Sequence, residues 1–120
     1  MSYVVEQSPS SILITDKNGK IEYVNPTFTK ITGYNSNEVI GETPRILNSG
    51  YHTKEFYREM WGTILKGDIW TGEILNKTKD EKFYWEYALI SGLKDEKNEI
   101  THFAAANDNI TALKKAHAEI

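Results

Sequence analysis

The chain has 120 residues, 39% of them hydrophobic, which suits one compact domain with a sizeable core. Asp and Glu (17) outnumber Lys and Arg (14), so the formal net charge is −3 and a basic nucleic-acid-binding surface is not expected. No apolar run approaches the ~18 residues of a membrane span, and no secretory signal opens the chain, so we predict a cytoplasmic protein without direct membrane insertion. Because the sequence has no cysteine, it has no disulfide, thiolate metal site or cysteine nucleophile.

The chain begins with the pattern of a β-hairpin. Residues 11–15 are rich in β-forming side chains, residues 16–19 supply turn chemistry, and residues 20–24 alternate polar with apolar side chains. We expect this hairpin to open a sheet.

Helix signals follow the hairpin. Asn25 precedes Pro26 as an N-cap and Gly33 ends the run, while Asn35 opens a second short helix. The longest helical pattern begins at Thr53, and its apolar side chains recur at helical spacing: Phe56, Met60, Ile64 and Leu65. We expect this helix to cover one face of the sheet.

The second half of the chain changes to the period of strands. Strands are predicted from residue 70 to 77, from 82 to about 93 and from 99 to about 108, with polar turns between them. Two strands, several helices and three hairpin-linked strands predict an α+β domain with a five-stranded antiparallel sheet flanked by helices.

Three segments divide the chain. Residues 1–8 form an N-terminal flanking segment, residues 9–109 form the domain, and residues 110–120 begin a C-terminal exit helix. The exit helix is predicted because Leu113, Ala116 and Ile120 recur at helical spacing.

Polar residues stand where strand alternation places apolar ones. Asn76 shares its face with Trp70, Glu86 shares its face with aromatic and aliphatic side chains, and Asn107 follows three alanines that leave volume. Buried polar groups cost roughly 1–3 kcal/mol when unpaired, so these three need partners. A heteroaromatic ring with carbonyl and N–H groups would supply them.

Each of the three also has a purely structural interpretation. Asn76 ends a strand, Glu86 faces solvent if the strand phase is shifted by one residue, and Asn107 caps the terminal helix. The sequence also shows no phosphate loop, nucleophile elbow or metal-spaced histidine pair, so we do not expect an enzyme.

The order of short motifs resembles that of PAS sensor domains over roughly residues 6 to 112. The motifs are Ile14-Thr15-Asp16 with Asn18-Gly19, Tyr23-Val24-Asn25-Pro26, Thr32-Gly33-Tyr34, Glu38-Val39-Ile40-Gly41 and Trp70-Thr71-Gly72-Glu73. The resemblance implies the PAS fold, a five-stranded antiparallel sheet flanked by helices, in agreement with the pattern above.

Within that family the chain is similar to the flavin-binding branches, the light-oxygen-voltage domains and the FAD-binding redox sensors. The resemblance implies that Asn76, Glu86 and Asn107 contact a flavin ring. Glu86 opposite a flavin carbonyl would have to be protonated or face another group, because two acceptors repel.

The same resemblance implies further ligand contacts. Trp70 would line the pocket, and Arg45 with Asn48 would meet the ribityl or phosphate end of the flavin. Pro44 replaces the photoreactive cysteine of the light-sensing domains, so their thiol adduct is excluded. The cofactor expected is FAD or another flavin, with an unknown small ligand or none as the alternative.

Two functions follow from the resemblance. The first is a sensory input domain that binds a small ligand, with a flavin for redox sensing, and relays its state through the exit helix. The second is a cofactor-free dimerisation and signal-relay module, whose pocket its own side chains would fill. The implied partners are a second copy of the chain and a downstream effector such as a histidine kinase of a two-component system or a diguanylate cyclase.

Overall fold

A computed structural model gives the fold and describes residues 2–118. The helices are α1 (Tyr3–Glu6), α2 (Pro26–Thr32), α3 (Ser36–Val39), a 3₁₀ helix (Pro44–Leu47), α4 (Lys54–Leu65) and α5 (Thr111–Ala118). The strands are β1 (Ser11–Asp16), β2 (Ile21–Val24), β3 (Trp70–Lys77), β4 (Phe83–Lys94) and β5 (Ile100–Asn109).

The strands form one five-stranded antiparallel sheet in the order β2-β1-β5-β4-β3. The first hairpin therefore joins the last three strands through β1 and β5. The α+β architecture predicted from the sequence is confirmed, including the helices between the two groups of strands and the helix after β5.

Local capping chemistry sets the helix ends. The Asn25 side chain accepts a hydrogen bond from Phe28 N at 3.1 Å, and Pro26 occupies the first turn of α2. Gly33 ends α2 in the left-handed conformation with φ 81°, which glycine adopts without steric cost. The Thr53 hydroxyl accepts from Phe56 N and begins α4.

Burial alternates along the first part of β4, from Phe83 to Leu89. Ala88 and Glu86 point toward the helices and are buried, whereas Tyr87 and Leu89 point to the other face and are exposed. The structural alternative in which Glu86 faces solvent is therefore wrong. One part of the helical prediction is also wrong, because Leu65 at the end of α4 is 62% exposed.

The core consists of two separate clusters between the helices and the sheet. The first contains Leu13, Ile21, Val24, Phe28, Val39 and Leu47, and the second contains Met60, Ile64, Trp70, Ile74, Ala88 and Phe103. Members of both clusters line the cavity described below, so the cavity lies between the two parts of the core.

The exit helix is present as α5. It includes Leu113 and Ala116, whereas Ile120 lies outside the described residues. Between residues 2 and 118, no helix has both the length and the apolar composition to cross a membrane.

Candidate functional site

A cavity of about 950 Å³ lies between the inner face of the sheet and the segment formed by the 3₁₀ helix and α4. Its volume is at the upper end of the roughly 300–1,000 Å³ typical of small-molecule sites. Ala105 on β5 contributes part of the floor, and its small side chain leaves space there. The cavity therefore has the size and position of a ligand site.

Three polar side chains form a hydrogen-bonded cluster on the sheet side of this cavity. Asn76 Nδ2 donates to Glu86 Oε1 at 3.0 Å, and Asn107 Nδ2 donates to the same oxygen at 3.2 Å. Asn76 and Asn107 line the cavity, while Glu86 lies between them and is 2% exposed. The sequence singled out all three residues, and the structure brings them together.

The strand register explains why these residues meet. Glu86 on β4 pairs with Ile74 on β3, so Asn76 lies two residues further along the same face. On the other side, β5 pairs Asn107 with Ala88, again two residues from Glu86 on that face. The carboxyl group of the central strand is thus within reach of an amide from each neighbouring strand.

The cluster keeps unused hydrogen-bonding capacity. Within residues 2–118, Glu86 Oε2 and Asn107 Oδ1 are buried and have no hydrogen-bond partner. Such atoms are costly unless a further group pairs with them. Both atoms belong to the cluster beside the cavity, so the cluster retains two positions for a further hydrogen bond.

Burial also controls the charge of this carboxyl. Desolvation raises the pKa of Glu86 from its usual 4.5 to about 7, although the hydrogen bonds from Asn76 and Asn107 act in the opposite direction. Near neutral pH a large fraction of Glu86 is therefore protonated, and its hydroxyl can donate. The cluster can then offer a donor from Glu86 and an acceptor from Asn107 side by side.

Basic side chains line another part of the cavity. Arg45, in the 3₁₀ helix, and Lys54, which opens α4, both belong to the wall, as does Asn48. The backbone of Asn48 also forms an isolated antiparallel bridge with Asn76. Among the residues that the structure describes, no Asp or Glu lines this cavity, so its wall favours an anionic group.

Trp70 lies outside the cavity lining. Its ring is buried against Phe56 in an edge-to-face contact, with centroids 5.6 Å apart, and folds over Gly72 of the same strand. A side chain at position 72 would place its Cβ 2.7 Å from that ring, so glycine permits this conformation. Trp70 thus packs in the second core cluster.

Sequence analysis missed the contribution of α4 to the cavity. Lys54, Tyr57 and Trp61 all line it, and they recur at the three- and four-residue spacing of one helix face. This spacing is visible in the sequence. The apolar residues Met60 and Ile64 on the same helix explain its pattern as a core-facing helix without a cavity.

The exit helix is attached to β4 next to the buried cluster. Trp85 N donates to Thr111 Oγ1 at 2.9 Å, and Ile110 N donates to Trp85 O at 2.9 Å. Lys114 Nζ lies 4.5 Å from the Trp85 ring centroid and 2.6 Å from Glu73 Oε1. Because Trp85 and Glu86 are consecutive, β4 carries the buried carboxyl of the cluster next to the residue that contacts α5.

Comparison with known proteins identifies the fold and its family. The sequence profile of the PAS domain matches residues 9–112. The chain belongs to the PAS domain family. The family predicted from the short motifs is therefore confirmed.

Among PAS-containing relatives, the chain is 32% identical over 108 residues to a nitrogen fixation regulatory protein of Klebsiella pneumoniae. It is 31% identical over 111 residues to a blue-light-activated histidine kinase of Brucella anthropi. These alignments cover 90% and 89% of this chain but only 22% of each relative. The chain thus spans about a fifth of the length of these regulatory proteins.

Solved structures give the same fold. An RNA-binding light-oxygen-voltage receptor superposes with a TM-score of 0.84 at 21% identity, covering 98% of this chain and 36% of the other. The PAS domain here has the sensor-domain fold, and its relatives are regulators and sensors of signalling systems.

Proposed function

We propose that this PAS domain is a sensory input module that binds a flavin in the cavity beside Glu86 and relays the state of that ligand through α5. The observation that carries the proposal is the pair of unpartnered buried atoms, Glu86 Oε2 and Asn107 Oδ1, in the described cluster whose members Asn76 and Asn107 line the cavity. The amide cluster of Asn76 and Asn107 holds Glu86 in place beside the ligand.

The residues present fit the ring edge of a flavin. That edge alternates carbonyl acceptors with an N–H donor, and protonated Glu86 and Asn107 offer one donor and one acceptor in return. Arg45 and Lys54 on the cavity wall would bind an anionic phosphate, with Asn48 nearby as a polar contact. When bound, the flavin would supply reversible redox chemistry at its ring nitrogens.

The relay is carried by residues of this chain. A change in ligand state alters which hydrogen bonds Glu86 and Asn107 can make, and Glu86 can hold or release a proton in response. The neighbouring residue Trp85 contacts α5 in two ways. Its backbone N–H donates to Thr111 Oγ1, and its ring lies beside Lys114 Nζ. A shift of β4 at the cluster therefore changes the attachment of α5.

The setting of the domain belongs to the same proposal. We place residues 9–109 in the sensor and residues 110–120 in the start of a helix that leads to an effector, within a longer cytoplasmic signalling protein. The effector would be a histidine kinase of a two-component system or a diguanylate cyclase. The Brucella relative, which is by name a histidine kinase, supports the first of these.

Exposed apolar side chains on the outer sheet face, including Tyr87 and Leu89, support homodimer formation. In this account the domain regulates and does not catalyse.

Replacing Asn107 with leucine tests the role of the cluster. The variant loses both polar atoms of Asn107 while a similar volume remains, so we expect the folded domain to bind flavin about tenfold more weakly and with a shifted absorption maximum. Flavin titration followed by absorption and fluorescence measures both effects.

The matched control for this variant is Asn37→Leu, because Asn37 is exposed on α3 away from the cavity. Its affinity and spectrum should equal those of the unchanged chain. If Asn107→Leu also leaves both unchanged, Asn107 does not contact the ligand and the proposed site is wrong.

A further inference from the structure

A histidine in the loop before α4 pairs with the backbone of the edge strand β3. This loop, residues 48–53, lies beside β3, and its Asn48 forms the bridge with Asn76. Leu75 N donates to His52 Nε2 at 2.8 Å, and Ser49 Oγ donates to Leu75 O at 2.6 Å. Both backbone groups of Leu75 are therefore paired with side chains of loop 48–53.

The hydrogen bond to Leu75 requires a neutral imidazole. His52 Nε2 can accept from Leu75 N only while it carries no proton, so the ring proton is on Nδ1. A second proton would place two N–H donors face to face, and this contact would have to open. The Phe56 ring stacks on the imidazole, with centroids 4.0 Å apart and planes at 15°. Tilting the imidazole away from Leu75 would also break this stack.

The surroundings of the imidazole disfavour its protonation. Burial lowers the pKa of His52 below its usual 6.5. The titratable side chains that contact the ring are Tyr51 and Tyr57, and phenols carry no charge near neutral pH. The contact with Leu75 is thus fully present above pH 6.5, and it is lost as the pH falls through the lowered pKa of His52.

No acidic partner is available to hold a protonated His52. The charged residues on the elements packed around the ring are Lys54 and Glu55 in α4, Glu73 and Lys77 in β3, Glu86 in β4 and Lys114 in α5. Glu55 pairs with Arg58 at 2.8 Å, and Glu73 pairs with Lys114 at 2.6 Å. Within residues 2–118, His52 forms no ion pair with a carboxylate. An imidazolium would therefore gain no ion pair in place of the lost hydrogen bond.

Loop 48–53 also contacts the residue that holds the exit helix. The Tyr51 ring meets the Trp85 ring edge to face, with centroids 5.6 Å apart, and the His52 ring centroid lies 6.2 Å from the same indole. Trp85 in turn contacts Thr111 and Lys114 of α5. If the loop leaves β3, both rings lose their places against Trp85, and the surroundings of the α5 attachment change.

We propose that His52 is a proton-sensitive switch, whose protonation opens the contact between loop 48–53 and β3 and weakens the attachment of α5 to Trp85. The proton is then a second input to the exit helix. This inference goes beyond the proposed function, because it requires no ligand in the cavity and His52 does not line the cavity. Acidification and a ligand would act on the same helix through different residues.

An NMR titration of the unchanged 120-residue chain from about pH 8 to about pH 5 tests the proposal. The Leu75 amide signal and the imidazole signals of His52 should shift together, with one midpoint below pH 6.5. Ile110 N, which donates to Trp85 O at 2.9 Å, reports on the attachment of α5. One hydrogen bond corresponds to about a two- to tenfold change in a local equilibrium, so hydrogen exchange at Ile110 should accelerate by about that factor at low pH, relative to its intrinsic rate.

Three variants assign the transition to His52. His52→Gln keeps an acceptor as many bonds from Cβ as Nε2 is, but this acceptor does not titrate, so the transition should vanish at both Leu75 and Ile110. His102→Gln is the matched control, because His102 is a half-exposed histidine that pairs with Glu22 at 3.1 Å, and the transition should remain. It should remain in Glu86→Gln as well, although burial raises the pKa of Glu86 to about 7.

Three results would overturn the switch. A Leu75 amide that does not follow the titration of His52 would show that the hydrogen bond does not control the loop. A transition that persists in His52→Gln, or disappears in His102→Gln or Glu86→Gln, would belong to another group. If Leu75 follows His52 while exchange at Ile110 stays unchanged, the loop opens without any effect on α5, and the proposed route to the exit helix is wrong.

Discussion

Between pH 4.5 and pH 8, the unchanged chain should lose about 3 kcal/mol of unfolding free energy relative to Glu86→Gln. Burial raises the pKa of Glu86 to about 7, so the folded chain holds a proton that the unfolded chain releases above pH 4.5. The stabilising effect of that proton is fully present below pH 4.5. It declines as the pH rises above 4.5, where only the unfolded chain gives up the proton, and it is fully lost once the pH has risen through about 7, where the buried carboxyl ionises as well.

Glutamine is the appropriate replacement because it imitates the protonated acid. It keeps an acceptor for the amides of Asn76 and Asn107, and its own amide group donates where Glu86 Oε2 stands. The quantity to measure is the difference in unfolding free energy between the two chains at each pH, from urea denaturation of flavin-free protein. Ligand must be removed because binding to the folded state adds stability of its own.

The control is Glu96→Gln, in which the replaced carboxyl is exposed in the loop before β5. Its stability should parallel that of the unchanged chain at every pH. A constant difference between Glu86→Gln and the unchanged chain from pH 4.5 to pH 8 would contradict the assignment, since Glu86 would then titrate alike in the folded and unfolded states.

Replacing Asn25 with alanine should lower the free energy of unfolding by about 3 kcal/mol. Asn25 is 1% exposed, and its side chain forms hydrogen bonds with the backbone of α2, of β1 and of the segment that precedes β1. Asn25 Oδ1 accepts from Ile12 N at 2.9 Å and from Phe28 N at 3.1 Å, while Nδ2 donates to Ser10 O at 2.9 Å and to Val5 O at 3.3 Å. Alanine has no polar side-chain atom, so these four backbone groups lose the hydrogen-bond partner that Asn25 gives them in a largely buried environment.

The comparison for Asn25→Ala is Thr53→Ala, which removes an exposed helix cap with a single hydrogen bond to Phe56 N. An ordinary cap of this kind contributes about 1 kcal/mol. Both values come from denaturant unfolding with a common slope. If Asn25→Ala costs no more than Thr53→Ala, the buried network around Asn25 does not stabilise the fold as described.

Much of the fold could be predicted because its signals are local. Asn25, Pro26 and Gly33 define α2 by capping chemistry alone, and the change of period at Trp70 marks the start of the second group of strands. For Glu86 the alternation of its neighbours in β4 favoured the inward phase that the structure shows, but the sequence left the solvent-facing phase open. Each of these inferences needs only a few neighbouring residues.

The shape of the cavity could not be predicted in the same way. Whether Lys54 and Trp61 line a cavity depends on how α4 lies over the sheet, which is a long-range property. The position of Trp70 depends on Gly72, two residues later, where the missing Cβ lets the indole fold along the strand. The hydrogen bonds that join Asn76, Glu86 and Asn107 depend on the register of three strands, which alternation alone does not fix.

The most direct test of the central claim is the visible absorption spectrum of freshly purified protein, followed by denaturation and chromatography of the released chromophore. The proposed function predicts the bands of an oxidised flavin and near-stoichiometric release of that flavin. A colourless protein that also fails to take up added FAD or FMN would contradict the claim. The domain would then be a cofactor-free relay module or a sensor of a different ligand.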